Sequence, residues 1–246
     1  MRNLSSHFLR CWTRTRNQDL VVLVLLFILV AGTLAFIVIA GEVRDGSSEK
    51  IDKAILRAFR NPNDMSLPIG PRYMREAFRD LTALGSMTIA CLISSLVGGF
   101  FLLKRQYGGF LLLAAALSGG YLLSKGLKLY YARARPEYVN PSHYVDSFSF
   151  PSGHALVAAV VYLTLGALLA RFVATRGLKI YVLGTAILLA FIVGLTRVYL
   201  GVHYPTDVLA GWTVGLLWAI ICWLVARALQ KRGAVESPSK PANTEP

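Results

Sequence analysis

Long apolar blocks alternate with short polar connections along this chain. Six of them, residues 20–40, 81–103, 107–127, 154–174, 178–196 and 208–228, are near the roughly 20 residues of helix that cross about 30 Å of hydrocarbon. Charge enters them at Lys125, at Arg171 near the end of the fourth, and at the margins of the last two, Lys179 and Arg227. The first block is longer than the roughly 7–15 residues of a signal-peptide core, and no small-x-small cleavage site follows it. It reads as a retained anchor. The pattern predicts an all-α, polytopic membrane bundle of six transmembrane helices.

The connection 41–80 has a rhythm of its own. Ile51, Ala54, Ile55, Ala58 and Phe59 recur at i, i+3, i+4, i+7 and i+8, the signature of one helical face, while Glu49, Lys50, Asp52, Lys53, Arg57 and Arg60 fill the other. Beside a membrane such a helix lies in the interface. Pro62, Pro68, Gly70 and Pro71 break the chain, and Pro71 suits the first turn of a helix running through Met74, Ala77, Phe78 and Leu81 into the second span. The expected organisation is a basic arm over 1–19, a membrane domain over 20–232 that includes the loop 41–80, and a disordered tail over 233–246 with Pro, Ser and Lys240 in it.

Composition agrees with a membrane solvent, since 55% of the residues are hydrophobic and only 16% charged. A net charge of +13 raises the possibility of nucleic acid, but the placement of the basic residues points to topology instead. With the N-terminus inside, the short connections at 104–106 and 171–179, the arm and the tail carry half of the 26 Lys and Arg, and among acidic residues only Asp19, Glu236 and Glu245. That is the inward basic bias of membrane proteins. Cys11, Cys91 and Cys222 show neither a disulfide framework nor a metal spacing.

Three polar segments break the apolar pattern: Lys128–Pro136 (KLYYARARP), Phe150–His154 (FPSGH) and Arg197–Asp207 (RVYLGVHYPTD). Alternating topology places all three at the outer face. Lys128, Arg135 and Arg197 supply converging positive charge, and guanidinium forks match phosphate oxygens. Pro151, Ser152 and Gly153 open a helix whose first N–H groups point at an incoming anion. His203 and Asp207 lie four apart and share a face if Pro205 begins a helix; the carboxylate then orients the imidazole as a nucleophile. His154 is placed to protonate the leaving group and later to deprotonate water. No Asp, Glu and His set has metal-ligand spacing, so fixed cations are expected to carry the chemistry without a metal or other cofactor.

K-x6-RP at Lys128 to Pro136, PSGH at Pro151 to His154 and R-x5-H-x3-D at Arg197 to Asp207 resemble, in order and spacing, the three-part signature of the type-2 phosphatidic acid phosphatase superfamily. The likeness is to its membrane lipid phosphatase branch, and within it to bacterial enzymes acting on phosphatidylglycerol phosphate or undecaprenyl pyrophosphate. It implies His203 as a phosphohistidine nucleophile, Asp207 as its partner and His154 as acid and base, with Lys128, Arg135, Ser152, Gly153 and Arg197 binding phosphate. Thr196 stands where the family usually has serine, which keeps a hydroxyl.

The expected function is hydrolysis of a lipid phosphate or pyrophosphate drawn from the bilayer, at the extracytoplasmic face of a cell membrane. Two other classes compete. A silent lipid-phosphate binder or translocator would need the cations but not His203, Asp207 and His154 together, and a channel would carry polar residues through span interiors that are nearly free of charge here.

Overall fold

The computed structural model describes residues 2–138 and 148–231. Its helices are α1 (Arg2–Asp45), α2 (Glu49–Ala58), α3 (Arg72–Thr82), α4 (Met87–Leu103), α5 (Tyr107–Tyr131), α6 (Gly153–Phe172), α7 (Arg176–Tyr199) and α8 (Pro205–Lys231). Five of them are long and apolar enough to cross a membrane: α1 over 19–45, α5, α6, α7 and α8. The bent pair 72–85 and 87–103 makes a sixth. The all-α bundle of six candidate spans is therefore present, while the expected tail 233–246 lies outside the described residues.

The second span departs from expectation. A helix was expected to run without interruption from Pro71 into 81–103, but it ends at Thr82, passes through one tight turn at Ala83–Gly85 and restarts at Met87 with a bend of 51°. Ser86 causes the restart, its hydroxyl accepting from the Ile89 N–H at 3.3 Å as an N-cap. Gly85 fixes the place of the turn, since a Cβ there would lie 2.3 Å from Val193 Cγ1 and 3.0 Å from the His154 carbonyl oxygen. The loop 41–80 also holds an antiparallel ribbon, β1 (Arg60–Asn61) with β2 (Asp64–Pro68), that the apolar pattern does not announce.

Helix α6 is the axis of the bundle, with α4, α5, α7 and α8 packed around it and α1 laid against α8. Apolar attraction alone does not bring helices together in lipid, where the tails are as apolar as leucine; close approach through small residues does. Helix α8 carries such a pair. A Cβ at Gly211 would lie 2.6 Å from the Ser152 carbonyl oxygen, and one at Gly215 would lie 2.7 Å from that of Leu156. On its flanks Trp212 sits in the seat left by Gly194 of α7 and donates to the Ala190 carbonyl at 2.9 Å. Trp218 does the same with Gly119 and Ala116 of α5, also at 2.9 Å. Both indole N–H groups are thus satisfied between helices.

Helix α2 fits the expected interfacial pattern on one side. Ile51 is 65% and Ile55 39% exposed, an apolar stripe turned away from the bundle. The charged face is not uniformly exposed, because Asp52 on it is fully buried together with Leu56.

The Gly215 contact yields a test. Gly215→Leu should destabilise the protein by about 1–3 kcal/mol through overpacking, lowering the midpoint of thermal unfolding in detergent. Gly177→Ala, where a Cβ meets nothing within 4 Å, should leave it unchanged.

Candidate active site

Local sequence chemistry sets the elements that converge at one end of the bundle. Helix α5 closes at Ala132, which adopts a left-handed conformation and donates its N–H to the Lys128 carbonyl at 3.0 Å. That turn releases the chain toward Arg133 and Arg135. Helix α7 closes after Tyr199; the Val202 and His203 N–H groups then fold back onto the Arg197 carbonyl at 3.1 and 3.4 Å, with Gly201 at φ 75° making the turn. Helix α8 begins at Pro205, where a missing N–H costs nothing. Asp207 in its first turn reaches back to accept from the Tyr204 N–H at 2.9 Å, as in a capping box.

Helix α6 starts differently from two of its neighbours, α4 and α7. Thr175 caps α7 by accepting from Leu178 N–H at 3.4 Å, and Ser86 caps α4, but Ser152 makes no such bond at the start of α6. Its hydroxyl is buried with no protein partner. The Ser152 backbone N–H donates to the Asp207 carbonyl at 2.9 Å, which ties the PSGH segment to the start of α8. Lys128 lies beside this open helix end, its Nζ 3.7 Å from where a Gly153 Cβ would stand. His154 is in the first turn of α6, its Cβ against Gly85.

His203 is 1% exposed, and its two ring nitrogens face different surroundings. Nε2 lies 3.4 Å from Arg135 Nη1, which also donates to the Val202 carbonyl at 3.0 Å. Nδ1 lies 3.5 Å from Asp207 Oδ2 and 3.3 Å from the Ser149 hydroxyl, which itself donates to the same Asp207 oxygen at 2.5 Å. The expected His–Asp pair is therefore present but long for a direct hydrogen bond, and Ser149 sits beside it as a third member. Burial pushes the His203 pKa down to about 3; the Asp207 carboxylate opposes this, while Arg197 and Arg135 add to it. The imidazole is neutral at neutral pH.

Arg197, 2% exposed, donates from Nη1 to the Thr82 hydroxyl at 3.0 Å, so the bent α3–α4 span buttresses this cation. Thr196 is fully buried and its hydroxyl is spent on the Val193 carbonyl at 2.6 Å, within its own helix. Lys128, Arg135, Ser152, Gly153, His154, Arg197, His203 and Asp207 thus all gather at the one end. Among the described residues no three His, Cys, Asp or Glu side chains come together as a metal-binding group.

Three polar neighbours escaped the sequence reading. Arg133 Nη1 donates to Asp207 Oδ1 and Nη2 to Asp52 Oδ2, each at 2.7 Å. Burial would lower its pKa, but Asp207 and Asp52 outweigh that and raise it. Asp52 also accepts from the Thr206 N–H at 3.1 Å and from its hydroxyl at 2.6 Å. Ser149 is the third. Two arginines in ARAR look alike in sequence, and only the Arg-Pro pair marked Arg135 out.

A helical membrane bundle with cations, two histidines and a carboxylate at the open end of its central helix defines a class of membrane-embedded phosphatases. The chain belongs to the PAP2 superfamily, whose model matches residues 108–231. It is 32% identical over 187 residues to phosphatidylglycerophosphatase B of Bacillus subtilis, covering 75% of this chain and 87% of that one. The crystal structure of a transmembrane PAP2 type phosphatidylglycerolphosphate phosphatase from Bacillus subtilis superposes with a TM-score of 0.71 at 30% identity, covering 84% of this chain and 97% of that chain. An undecaprenyl-diphosphatase of Sulfolobus acidocaldarius is 36% identical over 99 residues, 38% of this chain and 44% of that protein. This chain is a multi-pass membrane enzyme of the lipid phosphatase kind.

The burial of His203 has a consequence for titration. Unfolded, the imidazole takes a proton near pH 6.5; folded, it resists down to about 3, so this group lowers stability progressively as pH falls between those values. In a 13C-histidine NMR titration, the signal lost in His203→Asn should remain that of a neutral ring at pH 5; a midpoint near 6.5 would contradict the buried geometry.

Proposed function

We propose that this enzyme hydrolyses a lipid phosphate or lipid pyrophosphate, of the phosphatidylglycerol phosphate, isoprenyl pyrophosphate or phosphatidic acid class, through a phosphohistidine at His203. The observation that carries the reading is the orientation of His203: Nδ1 is turned to Asp207 and Ser149, and Nε2 to Arg135. A neutral imidazole held in this way keeps the Nε2 lone pair for attack when Nδ1 bears the proton.

The terminal phosphoryl group sits between Lys128, Arg135 and Arg197, with its oxygens toward the uncapped start of α6 at Ser152 and Gly153. Those N–H groups, the helix dipole and the unpartnered Ser152 hydroxyl are donors aimed at developing negative charge. Nε2 of His203 forms a bond to phosphorus as the bond to the lipid oxygen breaks, and His154 gives its proton to that leaving oxygen. Water then attacks the phosphohistidine, His154 takes the water's proton, and inorganic phosphate leaves. The charge for each step comes from fixed cations, so turnover is expected to be metal-independent.

Substrate class is supported by the B. subtilis relative, whose name specifies phosphatidylglycerophosphate, and by the archaeal one, whose name specifies an undecaprenyl diphosphate. The inward bias of basic residues in the short connections supports a cytoplasmic N-terminus and a site at the extracytoplasmic face. The membrane domain is taken as residues 20–232, with the loop 41–80 lying over the site end.

Phosphate release by the purified protein from phosphatidylglycerol phosphate, undecaprenyl pyrophosphate and phosphatidic acid, measured in EDTA, tests the reading. Release should persist in EDTA and fall by at least about 10⁴-fold in His203→Ala, as for loss of a nucleophile. Activity above a few per cent in that variant would sink the assignment.

A further inference from the structure

Helix α2 lies outside the three motifs, yet one of its residues is joined to His203 through two intervening side chains, Arg133 and Asp207. Asp52 is fully buried on a helix whose only other buried residue is Leu56. Its carboxylate accepts from the Thr206 N–H, one of the unpaired amides at the start of α8, so a residue of α2 caps a helix more than 150 positions away in the chain. The other carboxylate oxygen takes the Thr206 hydroxyl and Arg133 Nη2. Arg133 then spans from Asp52 to Asp207 Oδ1, its guanidinium 4.2 Å above the Tyr204 ring and its Nη1 also 2.8 Å from the Thr206 hydroxyl.

We propose that Asp52 and Arg133 form a positioning bridge by which the surface helix α2 sets the orientation of Asp207 and, through it, of His203; the inference rests on the reading of His203 as nucleophile. Asp207 has two oxygens with separate duties. Oδ1 is held by Arg133, and Oδ2 receives Ser149 and the Tyr204 N–H and faces His203 Nδ1. If Oδ1 were released, the carboxyl plane could turn and the loosely held imidazole would lose its alignment. A planar guanidinium suits this task because its two terminal nitrogens reach two carboxylates in fixed directions, which an ammonium does not. Asp52 keeps Arg133 from collapsing wholly onto Asp207 and so from drawing it away from the imidazole. Neither Asp52 nor Arg133 is assigned contact with the phosphate.

The bridge predicts a particular kinetic pattern in the full-length purified protein, measured with whichever of the three lipids the wild type hydrolyses fastest. Asp52→Asn should lower kcat on the order of 10- to 100-fold, the scale of a small misalignment at a reacting group, with KM changed less than about threefold. Arg133→Gln should lower it as far or further, and the double variant should be no slower than Arg133→Gln alone, because Asp52 acts through Arg133. Lys53→Ala is the control on the same helix; Lys53 is partly exposed and pairs with Glu49 at 2.5 Å, and its loss should leave kcat unchanged. Should Asp52→Asn fail to fold, Arg133→Lys keeps the charge and loses the fork, and a kcat drop of at least about tenfold at steady KM is expected there too.

A wild-type kcat in Asp52→Asn and Arg133→Lys, or additive losses in the double variant, would overturn the bridge while leaving the phosphatase reading intact. A wild-type protein that releases no phosphate from any of the three lipids would overturn that reading and the bridge's catalytic role with it.

Discussion

The contact between α6 and α8 is the constraint from which the site follows. Gly211 and Gly215 let the two helix backbones meet where any side chain would collide with the Ser152 and Leu156 carbonyl oxygens. At that separation the Ser152 N–H reaches the Asp207 carbonyl, and two motifs some fifty residues apart become one structure. In lipid, close backbone approach of this kind substitutes for the hydrophobic attraction that would assemble helices in water. Trp212 and Trp218 of α8 extend the same logic sideways, each filling a glycine seat and donating to a carbonyl of α7 or α5. One helix thereby fixes the relative placement of the segments that bear Lys128, His154, Arg197 and Asp207.

Buried charge is concentrated at the end of the bundle where these helices open. Asp52 and Asp207 are both fully buried, and Arg133 stands between them at 2.7 Å from each. Isolated carboxylates at such depth would be strongly disfavoured, and each here is matched by a guanidinium, by hydroxyls and by backbone N–H groups at the start of α8. The cost of burying them is offset by a cluster with few degrees of freedom. His203, enclosed beside it, is kept neutral by that same burial.

The loop before the second span serves more than the rim of the bundle. Its α2 turns an apolar stripe outward and a carboxylate inward, its ribbon sends the buried Arg60 to the Tyr199 carbonyl, and its α3 leads into the bend at Gly85 that lies against His154. Thr82, in the last turn of α3, receives Arg197. Each of the three pieces therefore touches the segments around the site rather than only covering them.

The sequence by itself determined the spans, because a run of about 20 apolar residues has few other stable uses, and it determined the motif residues, whose types and order mark the family. The start of α8 at Pro205 and the i, i+4 pairing of His203 with Asp207 were legible for the same reason: both are local. Tertiary structure alone decided the break at Gly85 and Ser86, which depends on Val193 and His154 coming close from other helices. It also decided that Asp52, on the charged face of its helix, is buried, and that Arg133 and not its neighbour Arg135 bridges the carboxylates. Periodicity reports which residues share a face of one helix. It does not report what another helix, far along the chain, brings to meet that face.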